Sequence, residues 1–298
     1  MMDAGETALG VDVGGTRIRV ARADRVGRVI DKITEPVRRD REGFARQLLR
    51  LVAEMRERNT VGIGIGIPGR VDGARGAIWS AGYLDIAGLN LPVLCAEATG
   101  LAARVENDAT MALIAEAGHR RNGEQGVIAM MTVGTGIGGA ILKDGAPWHG
   151  GGFAGQLGHI VVAEDGPPCN CGRTGCVETL SSGTALGTIV AQSGLDRKLS
   201  AEDLFVRAAE GNAIAANILE TWCLPFQRAL QSLVAVVDPR LVVIGGGLGA
   251  AMVQALAERP RHDKWFGLPV EAALLGDDAG VVGAALIGFA AHDGAVAV

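Results

Sequence analysis

Short β-branched runs separated by turn residues open the chain. Residues 9–13, 18–23 and 29–34 are predicted as strands, with Gly14-Gly15 and Val26-Gly27 at the turns. From 41 to 58 the spacing becomes helical: Phe44, Leu48, Leu51, Val52 and Met55 share one face and charges fill the other, which predicts an amphipathic helix. Residues 61–67 alternate β-branched residues with glycine, the pattern of a buried strand whose neighbours approach closely, and Pro68-Gly69 ends it. A helix over 92–99, a strand over 103–106 and a helix over 109–118 follow, with the strand-to-helix junction at Asn107-Asp108. Residues 127–133 and 138–143 then repeat the opening pattern around Gly134-Thr135-Gly136. The remainder predicts helices over 178–192, 201–210, 213–236, 248–258 and 279–291, and a strand over 241–244. The repeated strand, Gly/Thr turn and strand suggest two related α/β lobes with a cleft between them, divided somewhere in 108–126.

Composition narrows this picture. The 298 residues are 48% hydrophobic and 20% charged, which excludes a disordered chain, and the 45 glycines and 10 prolines together stay below a low-complexity share, so the glycines punctuate folded structure. A net charge of -5 and the absence of a basic stripe argue against nucleic acid; the cluster Arg38, Arg39, Arg41 reads as a solvated loop. No apolar run reaches the roughly 18 residues of a spanning helix, and no charged segment followed by an apolar one opens the sequence. We therefore expect no membrane partner and a cytoplasmic protein, in which five cysteines would not form structural disulfides.

Three constellations carry chemistry. In Asp12-Val13-Gly14-Gly15-Thr16-Arg17, a glycine turn lets backbone N–H groups crowd phosphate oxygens, Thr16 adds a hydroxyl, and Asp12 can hold a divalent metal directly or through water. Alone, this motif also reads as a plain hairpin turn. A second copy strengthens the phosphate reading: Thr132, Gly134, Thr135, Gly136, Gly138 and Gly139 form another Gly/Thr turn. Gly245-Gly246-Gly247 gives a third turn, where a nucleotide base or ribose could approach the backbone. None has the Walker or dinucleotide-binding spacing in the right context.

The second constellation is Cys169-Asn170-Cys171-Gly172-Arg173-Thr174-Gly175-Cys176 with His159 upstream. Three thiolates and an imidazole are the donor types of a closed, structural zinc site, against which stand a redox pair or inert thiols. Cys95 and Cys223 lie in apolar stretches and read as core thiols. The third is Glu106-Asn107-Asp108-Ala109, where Asp108 at a helix start is either a general base or a plain N-cap.

Asp12 to Arg17, Asn107-Asp108-Ala109, Gly155-Gln156-Leu157-Gly158-His159 and Cys169 through Glu178 follow, in order and over nearly the whole chain, the pattern of the ROK family of repressors and sugar kinases, which the sequence resembles. The resemblance implies an α/β, two-lobed actin/hexokinase-like (ribonuclease H-like) fold with an interlobe cleft. Residues 1–115 would form the N-terminal lobe, with a C-terminal helix at 279–298 packing back on it, and 116–278 the larger lobe carrying the zinc loop. It implies an ATP:sugar 6-phosphotransferase that uses Mg²⁺ with ATP and structural Zn²⁺, with Asp108 as general base. Asn107, His159, Glu178 and the Gly69-Arg70 loop would contact sugar, and His159, Cys169, Cys171 and Cys176 would hold zinc. Because the phosphate motif begins at Asp12, no helix-turn-helix module is expected before it, and a homodimer is the usual assembly in the family.

Gln156 stands where most ROK glucokinases carry glutamate. It keeps an acceptor but loses the charge and gains a donor. With Cys-Gly-Arg-Thr-Gly-Cys-Val-Glu, the Asp-Gly-Pro before it, Asp278-Ala279-Gly280 and Gly283-Ala284-Ala285, the chain is similar to bacterial N-acetylmannosamine kinases. The expected substrate is therefore an N-acylmannosamine. Glucose is the alternative, and a non-catalytic sugar-binding regulator or a redox switch at the cysteines are further readings.

Overall fold

The computed structural model describes residues 5–73, 75–82, 84–120, 125–259 and 270–294. The expected boundary region and C-terminal helix extend beyond these at 121–124 and 295–298, which lie outside the described residues.

In chain order the elements are β1 (Thr7–Val13), β2 (Arg17–Asp24), β3 (Val29–Pro36), α1 (Arg41–Met55), β4 (Thr60–Ile67), β5 (Arg70–Asp72), β6 (Ala77–Ser80), α2 (Leu91–Thr99), β7 (Ala102–Asn107) and α3 (Asp108–His119). There follow β8 (Val127–Val133), β9 (Ile137–Lys143), β10 (Ala146–Pro147), α4 (Val177–Ser181), α5 (Gly183–Gln192), α6 (Ala201–Ala209), α7 (Ala213–Val237), β11 (Leu241–Gly245), α8 (Gly249–Ala257), β12 (Val270–Ala272) and α9 (Ala279–His292). Two compact units result: Met1–Gln125 with Ile141–Ala154 and Asp277–Val298, and Gly126–Ala140 with Gly155–Gly276.

The first unit is built on a five-stranded sheet of order β3-β2-β1-β4-β7. β1, β2 and β3 form an antiparallel meander, while β1, β4 and β7 run parallel. On one face Leu9, Val11, Ile63, Ile65 and Ile67 pack with Phe44, Leu48 and Leu51 of α1. All of these are fully buried, and each contributes on the order of 1.5–3 kcal/mol relative to exposure.

The opposite face explains the glycine alternation of β4. A Cβ on Gly62 or Gly64 would overlap the backbone carbonyls of Gly288 or Ala284, and one on Gly10 of β1 would overlap that of Val281. Helix α9 therefore lies with its backbone against the sheet, which only strands lacking side chains on that face permit.

The parallel strands fix where chemistry can happen. Asp12 pairs with Gly66, and Ile67 with Asn107, so β1, β4 and β7 end together. The Gly14–Arg17 turn, Gly69-Arg70 and Asp108 follow directly at these carboxyl ends, where open α/β sheets bind ligands.

The second sheet has the order β10-β9-β8-β11-β12, with β8, β11 and β12 parallel. Here too the glycine turns, 134–136 and 245–247, follow the carboxyl ends of β8 and β11.

Two sequence expectations change. The helix over 41–58 stops at Met55, because Arg56 is extended (ψ 133°). The helix over 178–192 is two helices: Ser182 is extended (ψ 174°) and its side chain accepts from Ala185 N to cap α5. The short strands β5, β6, β10 and β12 carry too few residues for a period-two signal.

Candidate functional site

In the first unit, Gly14 N donates to Arg17 O at 2.8 Å and closes the β1–β2 turn, leaving Gly15, Thr16 and Arg17 exposed. Asp12 is buried behind this turn, and Arg19 Nη1 donates to its Oδ2 at 2.9 Å. Burial raises the Asp12 pKa against the pull of Arg19. The first turn of α9 fits closely around it: a Cβ on Gly280 would stand 2.7 Å from the Asp12 carboxyl carbon.

The Glu106-Asn107-Asp108 junction separates two roles that the sequence left open. Asn107 is the N-cap of α3, its Oδ1 accepting from Ala109 N at 2.9 Å and Thr110 N at 3.3 Å. Asp108 is therefore the first helical residue and not the cap, which corrects that alternative reading. Its Oδ1 accepts from Ala109 N at 2.8 Å. Burial of the carboxyl group, and next the negative charge of Asp12, push the Asp108 pKa up to about 6. A carboxylate with that value is poised to take a proton near neutral pH.

Asn107 also ties in the sugar-loop candidate: its Nδ2 donates to Gly69 O at 2.9 Å. Gly69 is left-handed (φ 94°), and a Cβ there would press on Ser80 O at 2.6 Å, so the β4–β5 corner requires glycine. Arg70 stacks its guanidinium 4.0 Å from the Phe153 ring centre and 4.8 Å from that of Trp79. Nothing in the sequence pattern singles out Trp79, Phe153 or Arg19. Phe153 reaches Arg70 and Trp79 from a distant segment, Arg19 meets Asp12 only through the β1–β2 register, and lone aromatic or basic residues carry no periodic signal.

In the second unit, the β8–β9 turn is held on several sides. Gly134 N donates to Gly136 O, and Gly134 O accepts from Gly183 N at 2.7 Å. Thr135 O accepts from Thr184 Oγ1 at 2.8 Å, and Thr132 Oγ1 accepts from Gly138 N at 3.2 Å. Glu178 Oε2 accepts from Ile137 N at 2.8 Å, so the expected sugar ligand is anchored to the expected phosphate turn. At the third turn, Leu248 N donates to Val133 O, and Gly246 (φ 81°) leaves no room for a Cβ beside that carbonyl; Gly246 and Gly247 are exposed next to buried Gly245.

Upstream of α4, Gln156 precedes a single helical turn, Leu157–His159. The cysteine loop returns to it: Cys169 N donates to Arg173 O, Val162 N to Gly175 O, and Val177 N to Ile160 O. Left-handed Gly172 (φ 88°) and Gly175 (φ 67°) make the tight reversal. The ligand atoms of His159, Cys169, Cys171 and Cys176 all lie within 4.8 Å of one another. Cys169 Sγ is 3.5 Å from His159 Nδ1, and Cys171 Sγ is 3.6 Å from Cys176 Sγ. A tetrahedron with zinc–sulfur bonds of about 2.3 Å has edges of about 3.8 Å, so the four groups fit zinc in number, type and spacing. Burial pushes the Cys176 thiol up to about 12, while the backbone and side chain of Arg173 pull Cys171 down to about 7. Cys95 and Cys223 are buried core thiols with pKa values pushed up to about 12 by burial.

The ROK family model matches residues 8–290. The chain is 32% identical to a glucokinase of Halalkalibacterium halodurans over 92% of each chain, and 30% identical to an N-acetylmannosamine kinase of Citrobacter koseri over 94% of this chain and 98% of that one. Among solved structures it resembles the ROK hexokinase from Thermus thermophilus with a TM-score of 0.78 and 30% identity, covering 95% of this chain and 98% of the other. The chain belongs to the ROK family and has its actin/hexokinase-like α/β fold.

Proposed function

We propose that this protein is an ATP-dependent sugar kinase that phosphorylates a 6-hydroxyl, with an N-acylmannosamine as its preferred substrate. The observation that carries the reading is the division of labour at β7–α3. Asn107 takes over capping, and Asp108 is left with a raised pKa at the carboxyl end of a parallel sheet. Asp108 accepts the proton of the sugar 6-hydroxyl as that oxygen attacks the terminal phosphorus of ATP. The products are a sugar 6-phosphate and ADP.

The other residues bind and orient. Asn107 Nδ2 has two N–H groups, of which one goes to Gly69 O and the second is available to a sugar hydroxyl. Glu178 has one oxygen on Ile137 N, and the other accepts from the sugar. His159, Gln156 and the Gly69-Arg70 loop complete the sugar contacts. The backbone N–H groups of Gly15, Thr16 and Arg17, and of Thr135 and Gly136, are donors for phosphate oxygens, with the Thr16, Thr132 and Thr135 hydroxyls beside them; Gly14 and Gly134 shape the two turns, Gly138 N donates to Thr132 Oγ1, and Gly245 to Gly247 receive the nucleoside. Asp12, with one oxygen on Arg19, has the hard oxygen donor that Mg²⁺ prefers and would hold it directly or through water. Mg²⁺ bound with ATP neutralises charge on the transferred group. His159, Cys169, Cys171 and Cys176 would hold a structural zinc, which would fix the segment that carries His159 and leads into Glu178.

Gln156 favours an N-acyl sugar over glucose, because it offers an N–H donor to a substituent at the second carbon where glutamate offers only acceptors. Glucose is the second reading, favoured by the 32% identity to a glucokinase. An ADP-release assay over glucose, N-acetylmannosamine, N-acetylglucosamine, mannose and allose tests both. Highest kcat/KM on N-acetylmannosamine supports the first reading, and highest on glucose the second. We expect a homodimer in the cytoplasm; no helix among the described residues is long and apolar enough to cross a membrane.

A further inference from the structure

Glu106 immediately precedes the cap residue Asn107, it is only 2% exposed, and no step above uses it. Its carboxylate occupies a built socket. His149 Nε2 lies 2.9 Å from Oε1 and 3.0 Å from Oε2, and Asn107 N approaches Oε2 at 3.3 Å. Gly73 closes another side, since a Cβ there would overlap the carboxylate. Among the described residues, His149 is the one cationic partner within ion-pair distance of Glu106. A buried carboxylate stripped of its partner is strongly disfavoured, so the socket specifies the pair.

His149 reaches this socket from a distant segment of the same unit, Ile141–Ala154. Its carbonyl accepts from Gly152 N at 2.8 Å and Ala154 N at 3.2 Å, so its backbone is fixed by the turn that follows. The imidazole borders a cavity of about 1290 Å³, whose other charged lining groups are Asp72, Arg75, Arg104, Lys143 and Asp144. Arg75 is paired with Asp72 at 2.9 Å. The hydrogen bond to Glu106 raises the His149 pKa, against the effect of burial and with a smaller contribution from Asp72.

We infer that His149 and Glu106 are a positioning pair that fixes the end of β7, and through it the peptide from which Asn107 caps α3 and Asp108 presents its carboxylate. Neither residue touches substrate. This rests on the reading of Asp108 as the base, and deepens it by adding two residues that hold that base in register.

The test uses full-length protein with verified zinc content, comparing His149→Ala, His149→Gln, Glu106→Gln and the double variant His149→Ala with Glu106→Gln. In His149→Ala, kcat on the sugar that wild type turns over is expected to fall about tenfold with the sugar KM within about twofold. Glutamine donates an N–H to Glu106, so His149→Gln restores most of kcat. The double variant, which no longer buries an unpaired charge, is no worse than His149→Ala. Independently of turnover, amide exchange at Ala109 and Thr110, which Asn107 Oδ1 holds, is expected to speed about tenfold in His149→Ala and to stay near wild type in His149→Gln. Wild-type kcat and exchange in His149→Ala, or losses that multiply in the double variant, would overturn the pairing role. Wild-type protein inactive on every sugar would overturn the kinase reading instead, and the exchange measurement would still decide this one.

Discussion

The carboxylates of Asp12 and Asp108 face the same end of the first sheet, and after burial the charge of Asp12 is the largest cause raising the Asp108 pKa to about 6. Asp12 is itself raised by burial and held by Arg19. A motif that reads as a phosphate site thus also tunes the proposed base.

The pH dependence follows. Asp108 must be ionised to accept a proton, so kcat should rise as pH increases through about 6. Asp12→Asn removes the like charge and should move that acid limb to lower pH, whatever it does to the maximal rate. Asp108→Asn should lower kcat by about 10² to 10⁴ with the fold retained. An acid limb that stays in place in Asp12→Asn would break the link between the two carboxylates.

The same shift has a stability consequence. The folded-state pKa of Asp108 lies above its ordinary value of 3.8, so between 3.8 and about 6 the folded chain binds more protons than the unfolded one. The Asp108 contribution to stability therefore falls as pH rises through that window. Denaturation series at several pH values should show Asp108→Asn flattening this part of the profile.

Metal content and stability should move together at the cysteine loop. One zinc per chain is expected, and Cys176→Ser should lose it and lower the unfolding free energy by about 3 kcal/mol or more. Because the Cys176 thiol is pushed up to about 12 without metal, zinc binding must displace its proton. Zinc uptake by stripped protein should release protons and weaken as pH falls. Cys95→Ser, in the core, should leave zinc content unchanged.

Glycine placement gives a further test. Gly64→Ala drives a Cβ into the Ala284 carbonyl and should destabilise by about 3 kcal/mol, since backbone meets backbone and neither side can turn away. Gly118→Ala, with nothing within 4 Å, should be neutral or stabilising by about 0.5–1 kcal/mol. Chemical denaturation of the two variants reads the difference directly.

Gln156→Glu addresses substrate choice. It should raise kcat/KM for glucose relative to N-acetylmannosamine, and an unchanged ratio would remove position 156 from the account of specificity.

Much of the site was legible because its residues cluster in sequence. Asp12 to Arg17, Thr132 to Gly139 and Cys169 to Cys176 each gather their candidate groups within a short stretch, so spacing alone picks them out, and the structure brings His159 to the three cysteines. The glycine alternation of β4 was visible as close packing, but what packs there, the backbone of α9, lies more than two hundred residues away and leaves no local trace. His149 and Glu106 failed for the same reason: a single histidine and a single glutamate acquire meaning only when β7 and the segment after β10 meet. The break at Ser182 was missed because helical apolar spacing runs through it, while the turn is set by capping.

The most direct measurement of the central claim is position-resolved phosphorylation. Wild type and Asp108→Asn are incubated with ATP, Mg²⁺ and each sugar of the panel, and the products are identified by NMR. The expected product is a 6-phosphate, formed fastest from N-acetylmannosamine, with about 10² to 10⁴ less product per unit time in Asp108→Asn. Phosphate at another hydroxyl, or equal turnover by Asp108→Asn, would contradict it.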